Sequence, residues 1–187
     1  MGTIVESIAG ILERSEVLRT LCPDEDLGDH RTVRRTVDAT IGVVMGAVAC
    51  HMEEALGARV VWNVVAGDDG WLLDNIDDVN WLLPSVFFGS TRTLLERRLV
   101  HHTGLEQRCV AAFMAKVLAV YLDHLRRRVV QERLDVQRFR RAVLDEHEEA
   151  GRHVPLVDLF DALDRPTGEF HDAIRRLRME APTGAPR

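Results

Sequence analysis

Residues 82–133 decide the fold, and they read LLPSVFFGSTRTLLERRLVHHTGLEQRCVAAFMAKVLAVYLDHLRRRVVQER. In the second half of this stretch, apolar side chains recur every three or four residues, at Val110, Phe113, Met114, Val117, Leu118, Tyr121, Leu125 and Val129. This spacing places them on one face of an α-helix. Because neither Pro nor Gly interrupts residues 105–133, we predict one long helix that buries this face.

The residues before this helix predict how it begins. Thr103 and Glu106 have the spacing of a capping box, in which the two side chains bind each other's backbone amides. Upstream, the pair Phe87-Phe88 precedes Gly89 and predicts an aromatic turn. A shorter helix follows the turn, and His101-His102 ends it.

The same patterns predict helices through the rest of the chain. Thr3 and Glu6 form a second capping-box pattern at the start of a helix over residues 3–21. A helix over 31–56 has valines at helical spacing and a side rich in Gly and Ala, so we expect it to be central, with Gly57 as its C-cap. Residues 71–88 are predicted to form a helical segment or a pair of short turns. Further helices are predicted after the cap residue Asp135, from Pro155 and over 170–179.

Residues 58–66, ARVVWNVVA, are compatible with two structures. Their valines and tryptophan favour a strand, whereas the spacing of the valines favours a short helix. A lone strand in an otherwise helical chain has no partner, so we predict a helix. The chain is then all-α, a single compact multi-helix domain over residues 1–150. A C-terminal helical extension is expected over 151–180 and a disordered tail over 181–187.

The two halves of this domain can be interpreted as helix-hairpin repeats. The helix over 31–56 with its short successor parallels the helix over 105–133 with the one after Asp135, at an offset of about 77 residues in the sequence alignment. Any pair of long-helix, short-helix hairpins would show part of this similarity, so duplication and coincidence both stay open.

Composition limits the function and the environment. The net charge is −6, which disfavours general affinity for nucleic acid. Lys116 is the only lysine, a usage typical of a GC-rich bacterial genome. Cys22, Cys50 and Cys109 are scattered, and the last two lie in apolar stretches, which suits reduced, buried thiols. With no signal-peptide pattern and no apolar run that could span a bilayer, we expect a cytoplasmic protein.

The order of short motifs resembles the bacterial YidB-like proteins, a family of small helical domains of unknown function. The matching segments are Phe88-Gly89 in the turn, Thr103-Gly104-Leu105 at a helix start, Leu134-Asp135 at the last helix start and the acidic run 145–149 at its end. The similarity covers about residues 16–149. Pro84 and Lys116 depart from the family pattern. The family carries no catalytic residues, so the resemblance implies a non-enzymatic protein.

Four patterns suggest chemistry, and each has a simpler structural explanation. The run 74–78, DNIDD, resembles a magnesium motif, but a second motif is missing and acidic residues suit a helix start. His147-Glu148 and His153 lack zincin spacing. His51 with Glu54 is a single reversed pair, and we place His51 on an exposed edge. Cys109 sits among apolar residues and should be buried. We therefore predict no catalytic residue, no metal and no cofactor.

One surface remains as a candidate for interaction. Arginines concentrate between residues 126 and 141, and this basic region could pair with acidic loops at 24–29 and 68–78 of another subunit. A solvated face that pairs with nearby acids is the simpler alternative. The predicted interaction residues are Arg126, Arg127, Arg128, Arg133, Arg138, Arg141, Asp74, Asp77 and Asp78.

We therefore predict a non-enzymatic helical module for protein interaction or self-assembly, whose partner is itself or another protein. Nucleic acid is a weaker candidate, because few aromatic residues are available to stack on bases. The alternative is a small-molecule-binding protein or enzyme with an apolar pocket between the helices. Its predicted lining is Trp62, Trp71, Trp81, Phe87 and Phe113.

Overall fold

A computed structural model describes residues 3–23, 30–67 and 82–152, and this part of the chain is helical without a strand. The all-α fold predicted from the apolar spacing is confirmed. The helices are α1 (Ile4–Leu12), α2 (Ser15–Leu21), α3 (His30–Met52), α4 (Ala55–Ala66), α5 (Leu82–Phe88), α6 (Arg92–Thr103), α7 (Gln107–Glu132) and α8 (Val136–Gly151), with a 3-10 turn at Gly89–Thr91 between α5 and α6.

Two long helices, α3 and α7, form the centre of the fold and pack against each other. Residues 39–49 of α3 are all buried, as its small and apolar composition predicts. The predicted apolar face of α7 is buried along its whole length, from Val110 to Val129. Around this pair, α1, α6 and α8 contact α3, whereas α4, α5 and α6 contact α7.

Helix α4 confirms the prediction of a helix over 58–66, but its start corrects the role assigned to Gly57. The chain turns at Glu53-Glu54, and α4 begins at Ala55, so Gly57 lies inside a helix and is not a C-cap. A Cβ added to Gly57 would lie 2.3 Å from the backbone oxygen of His51. Glycine is needed here because two backbones approach closely, and the amino-acid type alone does not distinguish this use from a cap.

Two predicted helix starts are confirmed. The Glu6 backbone nitrogen donates to Thr3 Oγ1 at 3.2 Å, and the Thr3 nitrogen donates to Glu6 Oε2 at 2.8 Å, which completes the capping box of α1. Asp135 accepts a hydrogen bond from the Arg138 nitrogen at 2.9 Å and caps α8. The predicted helix over 3–21 is interrupted, however, because α1 ends at Leu12 and α2 begins at Ser15.

The capping box predicted at Thr103 is wrong. Thr103 is the last residue of α6, and its hydroxyl donates to the Leu99 carbonyl at 2.7 Å. Gly104 follows with a φ of 78° and ends α6 in the left-handed conformation that glycine adopts readily. Helix α7 then begins at Gln107, without a side-chain cap from Glu106. The Thr-Gly pair thus ends one helix instead of starting the next.

The short helix of each predicted hairpin packs on the long helix of the other, since α4 contacts α7 and α8 contacts α3. These contacts do not test whether the two hairpins arose by duplication, so the repeat stays a prediction. The expected extension over 151–180 lies outside the described residues except at its first two positions, and the tail over 181–187 lies wholly outside them. Within 3–23, 30–67 and 82–152, no helix has both the length and the apolarity needed to cross a bilayer.

The contact at Gly57 gives a matched pair of glycine substitutions. We expect Gly57→Ala to lower the free energy of unfolding by about 2 kcal/mol or more, because the new methyl group meets backbone instead of a movable side chain. Gly10→Ala, in α1, adds a methyl group that meets nothing within 4 Å and should stabilise by about 0.5–1 kcal/mol. Urea unfolding of both variants measures the difference. Equal stabilities would contradict the close approach.

Candidate functional site

The predicted basic residues lie at one end of the molecule, where α7 ends and α8 begins. Arg126, Arg127 and Arg128 are on the last turns of α7, whereas Arg138 and Arg141 are on the first turns of α8. Arg133 lies between the two helices, with a φ of 51°. The acidic residues predicted to share this surface, Asp74, Asp77 and Asp78, are outside the described residues.

Arg128 differs from the others because it belongs to a polar cluster between α7 and α8. Its Nη1 donates to Glu146 Oε1 at 2.5 Å, and its Nε donates to Glu132 Oε1 at 2.6 Å. Tyr121 donates its hydroxyl to Glu146 Oε2 at 3.2 Å, and His124 Nε2 lies 3.1 Å from Glu146 Oε1. Glu146 therefore joins three side chains of α7, and Arg128 helps to hold α8 in place.

The pKa values in this cluster follow from burial and charge. Burial alone would raise the pKa of Glu146, but the hydrogen bond and charge of His124, together with those of Arg128, outweigh it and lower that pKa. Burial raises the pKa of Tyr121 well above its ordinary value, and the neighbouring Glu146 carboxylate raises it further. The carboxylate is therefore ionised and the phenol is neutral at neutral pH, which suits a structural cluster.

The sequence contained a signal for this cluster that the prediction missed. Tyr121, His124 and Arg128 are spaced by three and four residues, so they form a polar stripe along α7. The apolar spacing alone places Tyr121 on the buried face of α7, and the concentration of arginines places Arg128 on the surface. The sequence does not show that Glu146 of α8 contacts all three side chains, because its position depends on how α8 packs.

Arg140 also has an internal role. Its Nε donates to the Met52 carbonyl at 2.5 Å and its Nη2 to the Glu53 carbonyl at 2.8 Å. These oxygens lie at and just after the end of α3, where helix carbonyls lack partners within the helix. Arg140 therefore ties α8 to the end of α3, and its charge complements the negative end of the α3 dipole.

The remaining basic residues form a surface that we call the arginine corner, consisting of Arg126, Arg127, Arg133, Arg138 and Arg141. All are exposed except Arg126, which is partly exposed. Arg127 pairs with Asp123, and Arg138 lies 3.9 Å from a carboxylate oxygen of Asp135. Both of these pairs are exposed, so water screens them and they contribute little to stability.

An open groove lies beside the arginine corner, between the first turns of α4 and α8. Its volume is about 630 Å³, and its lining consists of Ala55, Leu56, Arg59, Asp135, Val136 and Gln137. Leu56, near the start of α4, is 52% exposed. Val130, in the last turn of α7, is 71% exposed. Apolar side chains thus reach solvent close to the cluster of positive charge.

Three of the five residues of the predicted aromatic pocket lining lie within the described part of the chain. Phe87 and Phe113 are fully packed in the core, whereas Trp62 is partly buried and donates its indole N–H to the Leu134 carbonyl at 3.4 Å. Trp71 and Trp81 are outside the described residues. The groove between α4 and α8 has a different lining, which the sequence did not indicate.

His51 corrects another prediction. It is buried rather than exposed, because α5 packs over the end of α3. His51 Nε2 lies 2.9 Å from the Phe87 carbonyl oxygen, and since a carbonyl only accepts, this nitrogen carries the hydrogen. Burial lowers the pKa of His51, opposed by that hydrogen bond and by the charge of Glu54. The imidazole therefore serves as a neutral link between helices.

The cysteines and the other residues that could bind a metal were also predicted to have no chemical role. Cys109 is buried, as predicted, whereas Cys50 is only partly buried. Among the residues that the structure describes, no three His, Cys, Asp or Glu side chains converge as a metal site would require.

Comparisons of the chain with protein-family models, with curated proteins and with solved structures gave no match.

The Glu146 cluster generates a pH-dependent prediction. We expect Glu146→Gln to lower the free energy of unfolding by about 1–3 kcal/mol at pH 7, because Arg128 and His124 lose a buried charged partner. Since folding lowers the pKa of Glu146, this contribution is complete above its ordinary value of 4.5 and is lost as the pH falls through the folded value. Unfolding of wild type and variant at a series of pH values measures it.

Glu132→Gln is the matched control, since it removes the other, more exposed partner of Arg128. Its effect should stay below about 0.5 kcal/mol. A Glu146→Gln effect that persists unchanged from pH 7 to pH 3 would contradict the proposed role of the carboxylate charge.

Proposed function

We propose that this chain is a non-enzymatic helical module of a bacterial cytoplasmic protein that associates with copies of itself. The observation that carries the proposal is the arginine corner, an exposed basic surface beside an apolar groove in an otherwise acidic chain. The resemblance to YidB-like proteins belongs to the same proposal, since that family brings no catalytic residue.

Charge favours a protein partner with an acidic surface. Residues 123–141 contain seven arginines and three acidic residues, which gives this region a charge of +4 in a chain whose net charge is −6. The remainder of the chain is therefore strongly acidic, and a second copy has the opposite charge that the corner attracts. Nucleic acid is disfavoured by the same net charge.

The groove supplies the apolar part of such a contact. Leu56 and Val136 line it, and a partner side chain in the groove would remove both from water. Interfaces commonly combine an apolar centre with a polar rim in which arginine is frequent. The groove and the arginine corner have this composition.

Three polar groups in the interior support a non-enzymatic function, because each of them links two helices. Glu96 is buried and accepts from Arg92 Nε at 2.7 Å and from Gln107 Nε2 at 2.9 Å, which joins α6 to the start of α7. His51 joins α3 to α5, and Glu146 joins α8 to α7. A catalytic group, by contrast, must reach a substrate from a cleft.

Sedimentation at two salt concentrations tests self-association. In about 0.05 M salt the mass should rise with protein concentration, and in about 0.5 M salt it should return to that of one chain, because salt screens exposed charges. Arg127→Glu with Arg133→Glu should weaken association at low salt about tenfold, since both arginines are exposed.

Arg31→Glu with Arg97→Glu is the control, because it reverses two exposed arginines outside the corner. The association constant of this control at low salt should stay within about a factor of two of the wild-type value. A single-chain mass at every concentration and both salt levels would refute the proposed function.

A further inference from the structure

The exposed face of α8 carries a second charge pattern, which extends beyond the arginine corner. Every third or fourth residue along this helix is exposed and charged, and these positions form one stripe. In order along the helix they are Arg138, Arg141, Asp145, Glu148 and Arg152. The beginning of the stripe is therefore basic, and its later part is acidic until Arg152, the residue just after the helix.

This order opposes the dipole of α8. Acidic side chains stabilise the first turn of a helix and basic ones the last turn. The first turn of α8 has no acidic residue and its last turn has no basic one. The helix dipole therefore does not explain the order of the charges within α8.

Contacts among the described residues of one copy do not explain it either. Arg141 and Asp145 are four residues apart on the same stripe, but neither side chain has an ion-pair or hydrogen-bond partner among the described residues. Glu148 pairs with Arg152 at 3.0 Å, with both side chains largely exposed. The centre of the stripe thus offers one unmatched positive and one unmatched negative charge to solvent.

We propose that two copies of the chain pair their α8 helices in antiparallel orientation about a two-fold axis close to Val143. In this register, Arg138 faces Glu148 of the second copy and Arg141 faces Asp145 of the second copy. Because the symmetry repeats each contact, the dimer gains four ion pairs from two kinds of contact. This inference rests on the proposed function, self-association, and adds which surface the two copies share and how they are oriented.

Other orientations of the same helices lack this complementarity. A parallel pair would place Arg138 and Arg141 against their own copies, and likewise the acidic residues. The apolar side of α8, with Phe139 and Val143, stays buried in its own copy, so each copy folds before it pairs. Since the stripe is polar and exposed, we expect a weak dimer that salt dissociates.

Charge-swapped variants test this register. The acidic variant contains Arg138→Glu and Arg141→Glu, and the basic variant contains Asp145→Arg and Glu148→Arg. Each should associate with itself at least about tenfold more weakly than wild type, because its stripe then repels a second copy. An equimolar mixture should form a heterodimer more tightly than wild type dimerises. The variant with all four changes should regain wild-type association.

Thermal unfolding of the monomers provides a second readout. Both double variants place charge in accord with the dipole of α8, so their midpoints in about 0.5 M salt should equal or exceed that of wild type. Loss of association then cannot come from loss of folding. A fall in both midpoints would show that these residues stabilise the monomer and would overturn the inference.

The outcomes separate the register from self-association in general. If wild type associates but the four-change variant does not, the arginines bind a different acidic surface, and the antiparallel pairing is wrong while the proposed function stands. If the two double variants each still associate like wild type, the stripe is not the interface. If wild type does not associate at all, the inference fails together with the proposed function.

Discussion

Helices α3 and α7 lie against each other at the centre of the fold, and the position of the other packed helices depends on that contact. Burial of a valine or leucine side chain contributes about 1.5–3 kcal/mol, and the facing sides of these helices bury several such residues. Polar side chains buried between these helices need a hydrogen-bond partner nearby, because water does not reach them. Thr40, for example, is buried in α3 and donates to the Thr36 carbonyl at 2.7 Å.

The central pair also sets where polar links can form. Helix α8 packs on α3, and its Glu146 meets Tyr121, His124 and Arg128 of α7. Arg140 of the same helix binds the carbonyls that follow α3. These contacts fix the rotation of α8 about its axis, and this rotation turns Arg138, Arg141, Asp145 and Glu148 towards solvent. The hydrogen bonds that Glu146 and Arg140 make inside the fold thus determine which side chains form the proposed interface.

The arginines between residues 126 and 141 show how one residue type acquires different roles. In the sequence they form one basic segment, and nothing in their spacing separates them into groups. In the fold, Arg128 and Arg140 hold helices together, whereas Arg138 and Arg141 face solvent. A side chain long enough to reach a distant carbonyl or carboxylate can do either, so composition does not separate the two groups.

The sequence by itself determined most of the helices and the buried faces of the long ones, because an apolar spacing of three and four residues is a local property that places side chains on one face of a helix. It therefore predicted the buried face of α7, the central position of α3 and the helix at 58–66. The tertiary structure alone decided that Gly57 marks a close approach, that His51 is buried, and that Glu146 meets the polar stripe of α7. Each of these depends on atoms distant in the chain or across a turn, whose distances are set by packing rather than by sequence spacing.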